Sequence, residues 1–169
     1  ALDPLIPLGT VGKLKLGGQT DAWQVVGYQE RCDLPAPGDG DEQVFWREYL
    51  LYNREHGFAF LVDAEDGWSW VRPITGTPKT EQGDKVSWRG ITYLRKYTYR
   101  AKVTWVQGEF YWRVQRNEEA RDSWRCAGLE RPGAYVGVVA SAAGHAIGVQ
   151  IAEFQTRAAA VGKLRQIGR

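Results

Sequence analysis

The 169-residue sequence contains no methionine, only two cysteines and two histidines, and no excess of one charge: 22 Lys and Arg face 20 Asp and Glu. Each shortage closes off a class of protein. A net charge of +2 is too small for a dedicated nucleic-acid binder, which carries a clear basic excess. Cys32 and Cys126 stand far apart with no Cys or His at metal spacing, so they read as buried free thiols rather than a disulfide framework or a zinc site. His56 sits in the mixed-charge turn Asn53-Arg54-Glu55-His56-Gly57, and His145 stands alone in an Ala/Gly stretch. Neither has clustered carboxylates around it, so no metal and no cofactor are expected. No basic segment followed by an apolar run opens the chain, so no secretory signal is read. The reducing cytoplasm is the expected compartment, with the inner face of the membrane as the alternative. The missing methionine, with alanine first, reads as a processed protein or a segment of a longer one.

What the chain has instead is aromatic residues and turns: 8 Trp, 8 Tyr and 20 Gly, with 43% hydrophobic residues overall. The alternation over residues 43–52 puts Val44, Trp46, Glu48, Leu50 and Tyr52 on one face and Phe45, Arg47, Tyr49 and Leu51 on the other. Large apolar residues on both faces predict a strand covered twice, or one whose outer face binds something. Tight turns at Gly17-Gly18, Asn53 to Gly57, Asp66-Gly67 and Arg89-Gly90 separate short alternating runs. This spacing predicts an antiparallel barrel- or sandwich-like meander rather than a βαβ fold. Residues 1–131 form the β-rich domain, with a candidate sub-boundary in the Gly/Pro-rich stretch 73–83.

After Arg131-Pro132-Gly133 the composition turns to Ala, Gly and Val, and apolar residues from Val136 to Val161 recur every three or four positions. That spacing predicts one C-terminal α-helix in a tail over 132–169, at a cost of about 1 kcal/mol for each glycine it contains. Residues 133–152 are nearly uncharged and long enough to span a bilayer, so membrane contact through them is an alternative to packing on the β domain.

The positions singled out as a candidate binding surface are Trp46, Glu48, Tyr49, Trp68, Trp70 and Trp112. Glu48, among aromatic neighbours, fits a raised-pKa acid. It fits a structural ion pair better, with Arg47, Arg54 and Arg72 as candidate partners. A second aromatic set, Tyr93, Tyr97 and Tyr99 beside Arg95, Lys96 and Arg100, has the ingredients for stacking on single-stranded nucleic acid, which the charge balance argues against. The competing reading of every ring is core filling.

The order Leu8-Gly9-Thr10, Trp23-Gln24-Val25-Val26-Gly27-Tyr28, Trp46-Arg47-Glu48-Tyr49-Leu50-Leu51-Tyr52, His56 to Val62, Gly67 to Val71, Gly90 to Tyr93 and Gly108-Glu109-Phe110-Tyr111-Trp112 resembles the bacterial family of unknown function number 4178. The resemblance covers residues 8–131, leaving the tail outside it. It implies a β-rich fold without an established activity and carries no catalytic residue onto this chain. Family members occur as tandem copies in longer bacterial proteins, some behind a zinc-ribbon segment, and in polyamine-related or membrane-associated gene sets. The expected function is a non-catalytic binding or protein-interaction module of a larger bacterial protein, contacting a protein partner or neighbouring domains. The alternatives are an enzyme using Glu48 as acid or base, and single-stranded nucleic-acid binding.

Overall fold

A computed structural model describes residues 3–16, 19–38, 40, 42–65, 67–74, 79–111, 114–117, 119–128, 134–140 and 146–155; for Leu16, Pro73, Ile74, Thr80, Val86, Trp88, Ile91, Arg95 to Tyr99 and from residue 119 onward it describes the backbone alone. All the described elements are antiparallel strands: β1 (Val11–Leu16), β2 (Gln19–Asp33), β3 (Phe45–Asn53), β4 (Gly57–Ala64), β5 (Gly67–Ile74), β6 (Lys79–Glu81), β7 (Lys85–Trp88), β8 (Ile91–Gly108), β9 (Glu119–Gly128), β10 (Ala134–Ala140) and β11 (Ala146–Gln155). They hydrogen-bond in the order β1-β2-β3-β4-β5-β11-β10-β9-β8-β7-β6, and β8 also pairs with β2. That last pairing returns the ladder to its start, giving a barrel-like circuit in which β1 and the β6–β7 hairpin hang outside the ring of pairs.

The long strands serve two neighbours each. Residues 19–24 of β2 pair with β1, and Gly27 to Asp33 pair with β8 along the same edge. Register shifts at Val25/Gly27 and Glu30/Arg31 in β2, and at Arg95/Tyr97 and Tyr99/Ala101 in β8, insert bulges. Bulges raise the local twist and let so long a strand bend from one partner to the next. At the β7–β8 turn Arg89 and Gly90 both take positive φ, 48° and 77°, as a two-residue hairpin with right-handed strand twist requires.

β3 is covered on both sides, and Tyr49, Leu50 and Leu51 are fully buried in succession. One face belongs to the main core of Ile6, Leu14, Trp23, Val25, Tyr28, Tyr49, Leu51, Ala59, Leu61, Trp68 and Trp70. The opposite face packs Leu50, Phe60 and Val71 against Val26, Phe58, Val62 and Phe110. The cover over this second face comes from the segment after β8. Gly108 has φ +80° and turns the chain off the strand, while the Glu109 amide donates to the Val26 carbonyl at 2.8 Å. Phe110 then lies so close to Gly27 that a Cβ there would stand 3.0 Å from its ring and 2.6 Å from the Glu109 carbonyl oxygen. Phe110 and Tyr111, which continue the alternation in the sequence, are not part of a strand.

The C-terminal helix is corrected over Ala134–Ala140 and Ala146–Gln155, which are strands: β10 pairs with β9 and β11, and β11 pairs with β5. The physical reason is composition. Val136, Val138, Val139, Ile147, Val149 and Ile151 are β-branched and favour a pleated surface, Gly137 and Gly148 weaken a helix, and β5 and β9 offer edges to pair with. Residues 141–145 and 156–169 of the expected helix lie outside the described residues. No helix among the described residues is long and apolar enough to cross a membrane.

Candidate functional site

The first half of β3 carries a charged residue to each face, because successive side chains of a strand point to opposite sides. Arg47 enters the main-core side. There it stands in one cross-strand row with Glu30 of β2 and Asp63 of β4, and its guanidinium reaches Asp63 at 3.1 Å. The Tyr28 phenol also hydrogen-bonds Arg47, yet burial, reinforced by Tyr49 close by, pushes its pKa up to about 12. Glu30 is buried and shares a hydrogen bond with the Thr104 hydroxyl at 2.8 Å. Cys32, on the same face of β2, is a free and fully buried thiol whose pKa burial also raises.

Glu48 points the other way, onto the face of Leu50. Its carboxylate accepts hydrogen bonds from the Trp46 indole N–H at 2.7 Å, from the Gln29 amide at 2.5 Å and from the Arg31 guanidinium at 3.4 Å. Arg31 also lies over the Trp46 ring, 5.6 Å from its centroid, a cation–π contact. The side chains of Arg31 and Glu48 are only 12% and 13% exposed. The partner of Glu48 is therefore Arg31, and not Arg47, Arg54 or Arg72. Arg47 faces the opposite side of its own strand, and the register of β2 on β3 pairs Gln29 directly with Glu48. Three donors converging on one carboxylate form the arrangement expected of a structural pair. A general acid needs a freer proton site than this.

The six positions singled out from the sequence thus separate. Trp46 and Glu48 meet in the Arg31 cluster. Tyr49, Trp68 and Trp70 lie in the main core, with Tyr49 stacked on Trp68 at 6.0 Å and tilted against Tyr28 at 5.2 Å. The Tyr49 hydroxyl accepts from the Leu5 amide at 2.8 Å, which pins the N-terminal segment over the core. Trp112 lies outside the described residues, as do the side chains of Arg95, Lys96, Tyr97 and Tyr99. His56 is half-buried beside Asp21, 3.3 Å away, and near the Trp23 ring. Among the described residues no group of three or more His, Cys, Asp or Glu is placed to hold a metal ion.

A surface that the alternation pattern does not disclose runs across four strands. Val11 of β1 pairs with Gln24 of β2, Gln24 with Tyr52 of β3, and Tyr52 with Phe58 of β4. Directly paired residues share a face, so these side chains form one row. Tyr52 and Phe58 are in ring contact at 5.3 Å, and Tyr111 closes over Phe58 at 4.5 Å. Val11, Tyr52 and Tyr111 are 49%, 39% and 50% exposed, and exposed Leu8 adjoins Gly108 beside them. Burial raises the Tyr111 phenol pKa, although half of the residue remains exposed.

These features define an aromatic-rich antiparallel β domain with the buried or half-buried ion pairs Arg31–Glu48 and Arg47–Asp63 and exposed apolar side chains on the Tyr52 face. The family profile of the domain of unknown function DUF4178 matches residues 10–125, well over half of the chain, and the chain belongs to that family. No curated protein matches it. No solved structure matches it.

Proposed function

We propose that this chain is a non-catalytic protein-interaction module of a larger bacterial protein, and that the Val11–Tyr52–Phe58–Tyr111 row is its contact surface. The observation that carries the reading is this row: exposed Val11 and Tyr52 flank Gln24, and the exposed Tyr111 ring lies on half-buried Phe58. Rigid Tyr and Phe rings supply large contact area at low entropic cost, and such residues are enriched where proteins meet. A neighbourhood of isolated exposed apolar residues would need no explanation; three in one cross-strand row, with a further ring against Phe58, do. The buried free thiol of Cys32 supports a reducing compartment, with the inner face of the membrane within reach of the parent protein.

The test is affinity capture with the full-length parent from soluble and membrane fractions, comparing wild type with a Tyr52→Asp/Tyr111→Asp variant. Both side chains are substantially exposed, so melting should shift by no more than a few degrees. The expected result is loss of one captured partner. An unchanged partner set at unchanged stability would remove the row as a contact surface.

A further inference from the structure

β3 and β4 are apolar on both faces, so burial alone leaves their alignment on β2 open. A one-residue slip exchanges the faces of a strand, but a two-residue slip returns every side chain to the face it left. β3 and β4 slip as one hairpin, because Asn53 pairs with Gly57 and its side-chain oxygen accepts from the Glu55 and His56 amides. On the outer face Glu48 already accepts from both Gln29 and Arg31, two positions apart on β2, so a move from one to the other keeps it partnered. At the hairpin tip the Asn53 amide donates to the Ala22 carbonyl, and the Gln24 carbonyl, two residues on, offers the same bond after that move. The His56–Asp21 contact beside it is partly exposed, and exposed pairs select weakly.

The inner face tells the two alignments apart. In the observed register Arg47 stands between Glu30 of β2 and Asp63 of β4. It reaches Asp63 at 3.1 Å and hydrogen-bonds the Tyr28 phenol, while Glu30 is only 3% exposed. A two-residue move toward the end of β2 would carry Arg47 and Asp63 together to Cys32 and set Tyr49 against Glu30. The Glu30 carboxylate would then be buried away from the guanidinium, and a buried charge without a countercharge is strongly destabilising. We propose that the buried Glu30–Arg47–Asp63 row is a register lock, which selects the alignment of the β3–β4 hairpin on β2 and contributes to that choice rather than to stability. The lock also holds Tyr52 beside Gln24, in line with Val11, but it stands on its own geometry and not on the interaction-module reading.

The test makes the row apolar in the full chain with Tyr28→Phe, Glu30→Val, Arg47→Met and Asp63→Val together, Tyr28→Phe removing a phenol that would lose its partner. Gln24→Cys/Tyr52→Cys, directly paired in the native register, adds a bond that oxidation can close, and Cys32→Ala/Cys126→Ala leaves no other thiol in the chain. Buried charge clusters replaced by apolar residues of similar volume keep or gain stability, so the reduced apolar-row chain should melt within a few degrees of the chain with its charges. Cross-strand proton contacts in nuclear magnetic resonance read the register. The charged row should give one set, with Gln29 against Glu48. The apolar row should add a second set, with Arg31 against Glu48, at roughly a tenth of the intensity or more, and oxidation should abolish it. A native set alone in the reduced apolar-row chain would overturn the proposal, as would a second set that survives oxidation. If that chain folds only once oxidised, register is what it lacked and the lock stands. If it stays unfolded with the bond closed, the row serves stability and the lock falls.

Discussion

Glu48→Ala is the substitution that separates a structural carboxylate from a chemical one. In the structure the Glu48 carboxylate is the acceptor for the Trp46 indole, the Gln29 amide and the Arg31 guanidinium. Removing it leaves these donors facing little solvent, since Gln29 is buried and the Arg31 side chain is 12% exposed. An abandoned buried donor costs about 1–3 kcal/mol, and breaking a buried charge pair from one side about 3–5 kcal/mol. The three donors share one acceptor and relax together, so the costs overlap and a total of roughly 3 kcal/mol is expected rather than their sum. For a domain of this size that lowers the melting temperature by about 6–12 °C. Urea denaturation of Glu48→Ala, Arg31→Ala and the double variant measures the effect, and the Glu48–Arg31 coupling should be about 1–3 kcal/mol. A loss below about 1 kcal/mol with no coupling would refute the structural pair and return Glu48 to consideration as an acid or base.

Two glycines with similar φ should differ sharply in their tolerance of alanine. Gly57→Ala enters open space at φ +74° and should cost about 1–2 kcal/mol, the left-handed backbone penalty. Gly108→Ala adds a Cβ driven into the Val26 carbonyl oxygen, so its cost in urea denaturation should exceed that of Gly57→Ala by about 1–3 kcal/mol; equal costs would deny the close approach. Tyr28 should make the fold sensitive to alkali. Its folded pKa of about 12 lies above the unfolded value, so the stabilising contribution is complete below about pH 10 and is lost between about pH 10 and 12. The loss approaches roughly 2–3 kcal/mol, and Tyr28→Phe should flatten it in stability measurements across that window. Cys32, buried and with a raised thiol pKa, should resist a thiol reagent at pH 8 in the native protein and react on unfolding; prompt native reaction would contradict its placement.

The β architecture is legible because alternation and turn residues are local signals. Residues 43–52 carry large side chains on both faces, and β3 is indeed covered twice; Arg89-Gly90 reads as a two-residue turn and has the positive φ values of one. What fails is what depends on register or on distant packing. Glu48 could not be matched to Arg31 because that choice is made by the β2–β3 pairing, although the exclusion of Arg47 follows from its adjacency in the strand. β8 runs unbroken from Ile91 to Gly108, and its bulges at Arg95/Tyr97 and Tyr99/Ala101 are set by pairing with β9 rather than by the sequence alternation. The Gly-Glu-Phe-Tyr-Trp block has a strand's pattern, but Phe110 is held as cover over Leu50, Phe60 and Val71. In the tail, Ala, Gly and Val at three- and four-residue steps also satisfy a β pattern, and available strand edges decide between the two. The row was hidden because Val11, the Tyr52–Phe58 hairpin and Tyr111 come from three separate parts of the chain.

Amide hydrogen exchange on the captured complex locates the contact surface without any substitution. Slowed exchange confined to residues around Val11, Tyr52 to Phe58 and Gly108 to Tyr111 is the predicted result. Slowing centred instead on Gln29, Arg31, Trp46 and Glu48, with the row unchanged, would contradict it.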